Sequence, residues 1–84
     1  MDTIIVTIRV AKSGQQYDME VSPHVPCGEL AKQIVSAIEL ENSTVARDIK
    51  NPYLATEAGH RLADSKTLAS MGIWDGSIIT INAG

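Results

Sequence analysis

The sequence predicts an α+β fold, in which a mixed sheet of four to five strands carries one long helix packed across one face. Three features indicate this class. Two strand-like runs near the start of the chain are joined by a short turn, one long amphipathic helix pattern follows them, and a β-branched run closes the chain. Because a sheet must bury one face, the long helix is expected to cover it.

The first two runs predict an antiparallel hairpin. Along Ile4–Val10 apolar residues alternate, so that Ile4, Val6, Ile8 and Val10 share one side. Residues 16–21 alternate in the same way, with Tyr17, Met19 and Val21 on one side. Residues 12–15 between the runs read Lys-Ser-Gly-Gln, and so short a link containing glycine is typical of a hairpin turn.

A change of period marks the helix. Pro23 and Pro26 stop the sheet, because proline cannot donate to a strand ladder, and Pro26 is suited to opening a helix. From Cys27 to about Leu40 the apolar residues recur at helical spacing. They are Cys27, Leu30, Ala31, Ile34, Val35, Ala37 and Ile38. This is the one long helix of the prediction, and its stripe must lie on the sheet.

A short helical turn is expected between residues 41 and 52. Asn42, Ser43 or Thr44 could cap it, and the sequence leaves the choice open. Asn51-Pro52 would end it, because the residue before proline avoids the helical region.

Three further strands are predicted after this turn. Tyr53–Ala58 is a weak strand, Arg61–Ala63 a very short one, and Ser77–Asn82 the last. Right-handed crossover connections then place the last strand parallel to the first, in the centre of the sheet.

Length and composition limit the function classes. The 84 residues predict a single domain over residues 1–84, with a core of Ile, Val, Leu and Met, since no Phe occurs. A net charge of −3 and scattered basic residues argue against nucleic acid as a partner. No apolar run is long enough to cross a bilayer. Cys27 is the only cysteine and Met1-Asp2-Thr3 does not resemble a signal peptide, so we expect a cytoplasmic protein.

Several short segments resemble ubiquitin in order and spacing. They are Glu20-Val21-Ser22-Pro23 before the helix, Ala58-Gly59 with Leu62, and Thr67-Leu68. The resemblance covers nearly the whole chain and implies the ubiquitin-like β-grasp fold.

Two further segments resemble a narrower family. Val25-Pro26 with Glu29-Leu30 opens the helix, and Leu68-Ala69, Gly72-Ile73, Asp75-Gly76 and Ile78 precede the last strand. Both are similar to the small ubiquitin-like proteins of bacterial type VII (WXG100, ESX) secretion, the YukD, EsaB and EccD group. This resemblance implies a non-enzymatic accessory or assembly domain that binds secretion components at the cytosolic side of the membrane.

Conjugation through the C-terminus is the alternative function. Ubiquitin and the sulfur carriers use a flexible tail ending in Gly-Gly, because a Cβ would obstruct the narrow channel of the activating enzyme. Here the last strand is expected to end near Ile81 or Asn82, which leaves a short tail with a single glycine, Gly84, after Ala83. We therefore expect a protein that is not conjugated. A modifier or sulfur carrier acting through Gly84 remains the runner-up, and a module cut from a longer protein is a third possibility.

No constellation of catalytic or metal-binding residues is predicted. His24 and Cys27 are three positions apart, but one cysteine and two histidines fall short of a structural zinc site. Cys27 lies on the apolar stripe, where a free cysteine packs as a small hydrophobe. We expect no enzyme activity, no cofactor and no metal.

The candidate functional site is a partner-binding surface on the sheet. If the side of the first strand that carries Ile4 faces the helix, then Ile5 and Ile78 point away from the helix on neighbouring central strands. Trp74 lies in the turn before the last strand. The predicted surface consists of Ile5, Thr7, Thr56, Trp74, Ile78 and Thr80. In ubiquitin a large aliphatic residue occupies the position that matches Thr56 and forms part of an apolar binding patch. Proteins that bind this patch of ubiquitin are therefore not expected to bind this chain.

Overall fold

A four-stranded mixed sheet with a long helix across one face is seen in the computed structural model, which describes residues 3–84. Met1 and Asp2, part of the segment used to argue against a signal peptide, lie outside the described residues. The elements in chain order are β1 (Ile4–Val10), β2 (Gln16–Val21), α1 (Cys27–Glu41), α2 (Ser43–Arg47), β3 (Pro52–Thr56), a 3-10 turn (Ala69–Met71) and β4 (Ile78–Ala83).

The strand order is β2-β1-β4-β3. β1 pairs antiparallel with β2 and parallel with β4, and β3 pairs antiparallel with β4. The central parallel pair, expected from the crossover rule, is confirmed.

The core lies between the sheet and α1. From β1, Ile4, Val6, Ile8 and Val10 are all buried, which confirms the predicted alternation. Ile79 and Ile81 face the same side from β4, and the helix contributes Cys27, Leu30, Ala31, Ile34 and Ile38. We call the other side of the sheet, which α1 does not cover, the open face.

The short helix α2 is capped by Asn42. Its side-chain Oδ1 accepts a hydrogen bond from the backbone N–H of Val45 at 3.3 Å. Of the three candidate caps, the structure therefore selects Asn42. Its own backbone N–H donates to the carbonyl of Ile38, so this residue ends α1 and begins α2.

The predicted fifth strand at Arg61–Ala63 is wrong. Only Arg61 pairs, as a single bridge to Ala55, because the next residue turns inward. Leu62 is 5% exposed in the core, where its N–H donates to the carbonyl of Leu54 at 2.8 Å. β3 also ends at Thr56 rather than Ala58, because the N–H of Gly59 turns back to the carbonyl of Thr56.

Candidate functional site

The open face is built from alternate residues of the four strands. Register pairs Ile5 with Glu20 and Thr7 with Asp18 across β1 and β2, and Thr7 with Ile78 across β1 and β4. Because residues directly paired in a sheet point to the same side, these side chains lie together. Thr80 continues the face and pairs with Ala55 of β3.

Two large apolar side chains are exposed in this region. Ile5 and Trp74 each keep 54% of their surface in solvent, whereas Ile78 is half-buried. The turn that carries Trp74 is fastened to β1 at Ile5. The N–H of Ile5 donates to Oδ1 of Asp75 at 2.7 Å, and the N–H of Gly76 donates to the carbonyl of Ile5 at 2.9 Å. These two hydrogen bonds hold Asp75 and Gly76, and with them the neighbouring Trp74, close to Ile5.

The hydrogen bond from Ile5 to Asp75 is a contact that the sequence analysis did not predict. β4 begins at Ile78, opposite Thr7, so no strand residue of β4 reaches the N–H of Ile5. The Asp75 carboxylate supplies the missing acceptor. The available signal was an aspartate followed by a glycine in a turn. Aspartate side chains in turns often accept hydrogen bonds from backbone N–H groups.

The side-chain hydroxyl groups of Thr7 and Thr80 donate hydrogen bonds to other residues of the sheet. Thr7 Oγ1 donates to Oδ1 of Asp18 at 2.8 Å, and Thr80 Oγ1 donates to the carbonyl of Ala55 at 3.3 Å. Thr80 Oγ1 also accepts from Nδ2 of Asn82 at 3.3 Å. The threonines therefore stiffen the face, and Ile5, Ile78 and Trp74 supply its exposed apolar area.

Thr56 does not belong to the open face. It pairs with the buried Ile79, so the strand alternation turns it to the helix side, and Ala55 occupies the open-face position instead. Thr56 is the last residue of β3, and there it lines a shallow groove of about 380 Å³ with Ile73 and Ile78. The open face of β3 therefore carries no large aliphatic side chain.

Charged side chains border the open face. The Arg61 guanidinium lies 4.3 Å from the ring centroid of Tyr53 and 3.8 Å from a carboxylate oxygen of Asp64. Arg9 lies 3.9 Å from the carboxylate of Glu57. When the side-chain amide of Gln16 has its oxygen toward Arg9, that oxygen accepts hydrogen bonds from Nε and Nη2 of Arg9, each at 3.1 Å. Arg61 stacks on Tyr53 at the β3 side of the face, while Ile5 and Trp74 remain exposed.

Cys27 is a core residue, as predicted. It is 1% exposed, and burial raises the pKa of its thiol, with the charge of Asp64 raising it further. A thiol with a raised pKa is protonated at neutral pH, whereas a nucleophile or a metal ligand needs the thiolate. Within residues 3–84, no three His, Cys, Asp or Glu side chains meet in an arrangement that could hold a metal ion.

An apolar groove of about 280 Å³ opens at another edge of the molecule. It is lined by Val10, Val45, Ile49 and Ile81, with Lys12 and Asp48 at its rim. None of the helices in residues 3–84 has the length and hydrophobicity needed to cross a bilayer.

Gly84 is held against the turn before β3. Its N–H lies 3.0 Å from the carbonyl oxygens of both Lys50 and Asn51. β4 runs to Ala83, which differs from the expected end near Ile81 or Asn82. The cause is the pairing of Ala83 with Pro52, which extends the ladder to the edge of β3.

This arrangement of four strands and a crossing helix is the ubiquitin-like fold. The structure is similar to ubiquitin of Caldiarchaeum subterraneum, at 20% identity and a TM-score of 0.72, over 99% of this chain and 95% of that one. The sequence matches the family model described as YukD, WXG100 protein secretion system (Wss), protein YukD, over residues 3–81. The chain belongs to the YukD family.

Two mycobacterial domains share the fold. The ubiquitin-like domain of the Mycobacterium tuberculosis type VII secretion protein EccD1 is 22% identical, with a TM-score of 0.73, over 99% of this chain and all of that one. The EccD5 ubiquitin-like domain of Mycobacterium xenopi is 14% identical, with a TM-score of 0.79, over 96% and 93%. The comparison with curated proteins finds no significant match.

Proposed function

We propose that this chain is an accessory component of a WXG100 (type VII) secretion system, acting as a ubiquitin-like interaction domain without enzyme activity or conjugation. The observation that carries the proposal is the match to the YukD family over residues 3–81. The fold shared with the EccD1 domain supports the same assignment. Its partner is a protein of the secretion machinery, which holds it at the cytosolic side of the membrane.

The open face is the proposed binding surface. Ile5 on β1 and Trp74 in the turn fastened to β1 are its anchors, because large exposed apolar side chains gain the most when a partner removes them from water. Ile78, Thr7 and Thr80 supply the surrounding contact area.

A tagged pull-down from the native host, with mass spectrometry of every gel band, tests the proposal. The expected result is non-covalent recovery of secretion-system proteins, with the bait only at its own mass. Slower bait bands carrying an isopeptide at Gly84, or a thiocarboxylate there, would overturn it in favour of a modifier or sulfur carrier.

Two variants test the surface. Replacing both anchors, Ile5→Ser with Trp74→Ala, should reduce recovery of the partner at least about tenfold, as expected for interface hot spots. Lys32→Ala with Glu39→Ala is the control, because both side chains are exposed on α1 rather than on the sheet. Full recovery with the Ile5→Ser, Trp74→Ala variant, once its amide NMR spectrum confirms the fold, would refute the open face as the site.

A further inference from the structure

The edge of the sheet at β2 has backbone groups free to pair with another strand. β2 is the outermost strand, and its single neighbour among residues 3–84 is β1. Ile5 and Thr7 direct their backbone N–H groups to the other side, toward Asp75 and Ser77. Hydrogen-bonding direction alternates along an antiparallel strand, so their β2 partners Glu20 and Asp18 point their own N–H and C=O groups outward.

Hydrogen bonding next to the β1–β2 turn also indicates which backbone groups of β2 point outward. The N–H of Val10 donates to the carbonyl of Gln15 at 2.8 Å, so this pair is hydrogen-bonded. The next residue, Gln16, then points its backbone groups outward. Gln16, Asp18 and Glu20 thus offer an edge that a further strand can extend.

A groove lined by both apolar and polar side chains runs beside this edge. It has a volume of about 300 Å³ and lies between β2 and α1, where Tyr17, Met19 and Ala37 line it. Leu40 stands three residues after Ala37, which makes the two neighbours on the helix surface. With 90% of its surface exposed, Leu40 is the most exposed large apolar side chain in the described part of the chain. We call this feature the β2–α1 groove.

The charge at the edge selects the occupant. Asp18 and Glu20 project on the open-face side of β2, and Glu41 lines the groove on the other side. All three are exposed, and no Lys or Arg within residues 3–84 forms an ion pair with them. Arg9, which pairs with Gln16 across the two strands, is already engaged by Gln16 and Glu57. Basic side chains would therefore complement this edge.

A second copy of the chain does not fit the edge. Two β2 strands side by side would bring Asp18 and Glu20 of one copy against the same residues of the other. Like charges on facing strands are destabilising. The edge is consequently protected against self-pairing and selective for strands of the opposite charge.

We propose that β2 and the β2–α1 groove bind an extended basic segment of a partner protein, which adds to the sheet as a fifth strand. Alternate residues of an added strand point to opposite sides. Apolar residues of the segment enter the groove against Met19 and Ala37, beside the exposed Leu40, and the basic residues between them face Asp18 and Glu20. Glu20 neighbours Ile5 across the strand pair, but the added strand needs neither Ile5 nor Trp74, so the inference stands without these anchors.

The first test uses an alternating Lys-Val octapeptide with blocked ends, added to the labelled full chain and followed by amide NMR. We expect saturable shifts in residues 16–21 and at Ala37 and Leu40. Exchange of the outward amides of Gln16, Asp18 and Glu20 with solvent should slow about tenfold or more, because they gain acceptors. Absence of binding, or shifts confined to Ile5 and Ile78, would overturn the proposal.

Two control peptides separate strand addition from charge attraction. An alternating Glu-Val peptide should not bind. A Lys peptide with proline in place of alternate valines keeps its charge but loses backbone donors, and it should bind about tenfold more weakly. Equal binding of the proline peptide would contradict pairing with the strand edge.

Matched protein variants test the acidic residues. Asp18→Lys with Glu20→Lys should weaken binding of the Lys-Val peptide about tenfold or more. Asp48→Lys with Glu29→Lys makes the same change in net charge outside the β2–α1 groove and should leave the affinity within about twofold. Equal losses for the two pairs would show attraction to net charge alone and refute the proposed site.

Discussion

Gly28 illustrates how a single residue can contradict local propensity. It lies in the first turn of α1, where alanine is normally the better helix former by about 1 kcal/mol. A Cβ built at this position would lie 2.9 Å from Cβ of Asp64, closer than real Cβ atoms approach. The N–H of Gly28 also donates to the carbonyl of Asp64 at 3.1 Å, which holds the two segments together.

We therefore predict that Gly28→Ala destabilises the protein. The expected loss is about 1–3 kcal/mol in the free energy of unfolding, measured in urea, because overpacking outweighs the gain in propensity. Ser36→Ala, at an exposed position of the same helix, is the control and should be neutral or stabilising by a few tenths of a kcal/mol. A Gly28→Ala protein more stable than the wild type would show that Asp64 moves aside freely.

At the scale of elements, the junction between the two helices depends on one side chain. Asn42 has an extended backbone, with φ −152° and ψ 89°, and its amide oxygen caps α2. A five-residue helix has few internal hydrogen bonds, so its start must be stabilised from outside. α2 in turn places the buried Ala46 against the core.

Replacing Asn42 with alanine should lower the free energy of unfolding by about 1 kcal/mol. Asn42→Asp keeps an acceptor oxygen and should recover most of that loss. Ser43→Ala, at the next exposed position, is expected to change stability by less than about 0.5 kcal/mol. Thermal unfolding followed by circular dichroism measures all three, and an equal loss for Ser43→Ala would identify a different cap.

For the whole molecule, Cys27 is a reporter of cooperative unfolding. Its N–H donates to the carbonyl of Lys66 at 2.8 Å, and its side chain is buried between α1 and the sheet. Reagents that attack thiolates can reach it only when these elements separate, and its raised pKa disfavours the thiolate in the folded state.

Labelling of Cys27 in the native protein should accordingly be at least about a thousandfold slower than in urea, for a stability of about 5 kcal/mol or more. Ile34→Ala, which removes a buried side chain from α1, should lower the stability by about 2–5 kcal/mol and accelerate labelling in proportion. Rapid labelling of the native protein, with no response to Ile34→Ala, would indicate local opening at Cys27 instead of global unfolding.

Binary pattern alone determined most of the fold. Alternation predicted β1 and β2 with correct bounds, helical spacing placed the start of α1 at Cys27, and the inward isoleucines of β4 followed from the same period. These elements bury one apolar side each, so their sequences carry the signal directly. The placement of Ile5 in solvent followed from that pattern and that of Trp74 from its position in the turn before β4, whereas their role as a binding surface remains a prediction.

Tertiary contacts decided the features that no local pattern encodes. Arg61 reads as part of a strand, but the burial of Leu62 limits its pairing to one bridge. The register of β3 against β4, rather than its sequence, turns Thr56 away from the open face and brings Ala55 onto it. Asp75 bonds Ile5 from 70 positions away. Strand register and long-range acceptors depend on which segments meet in space, and a one-residue shift reverses every side chain of a strand.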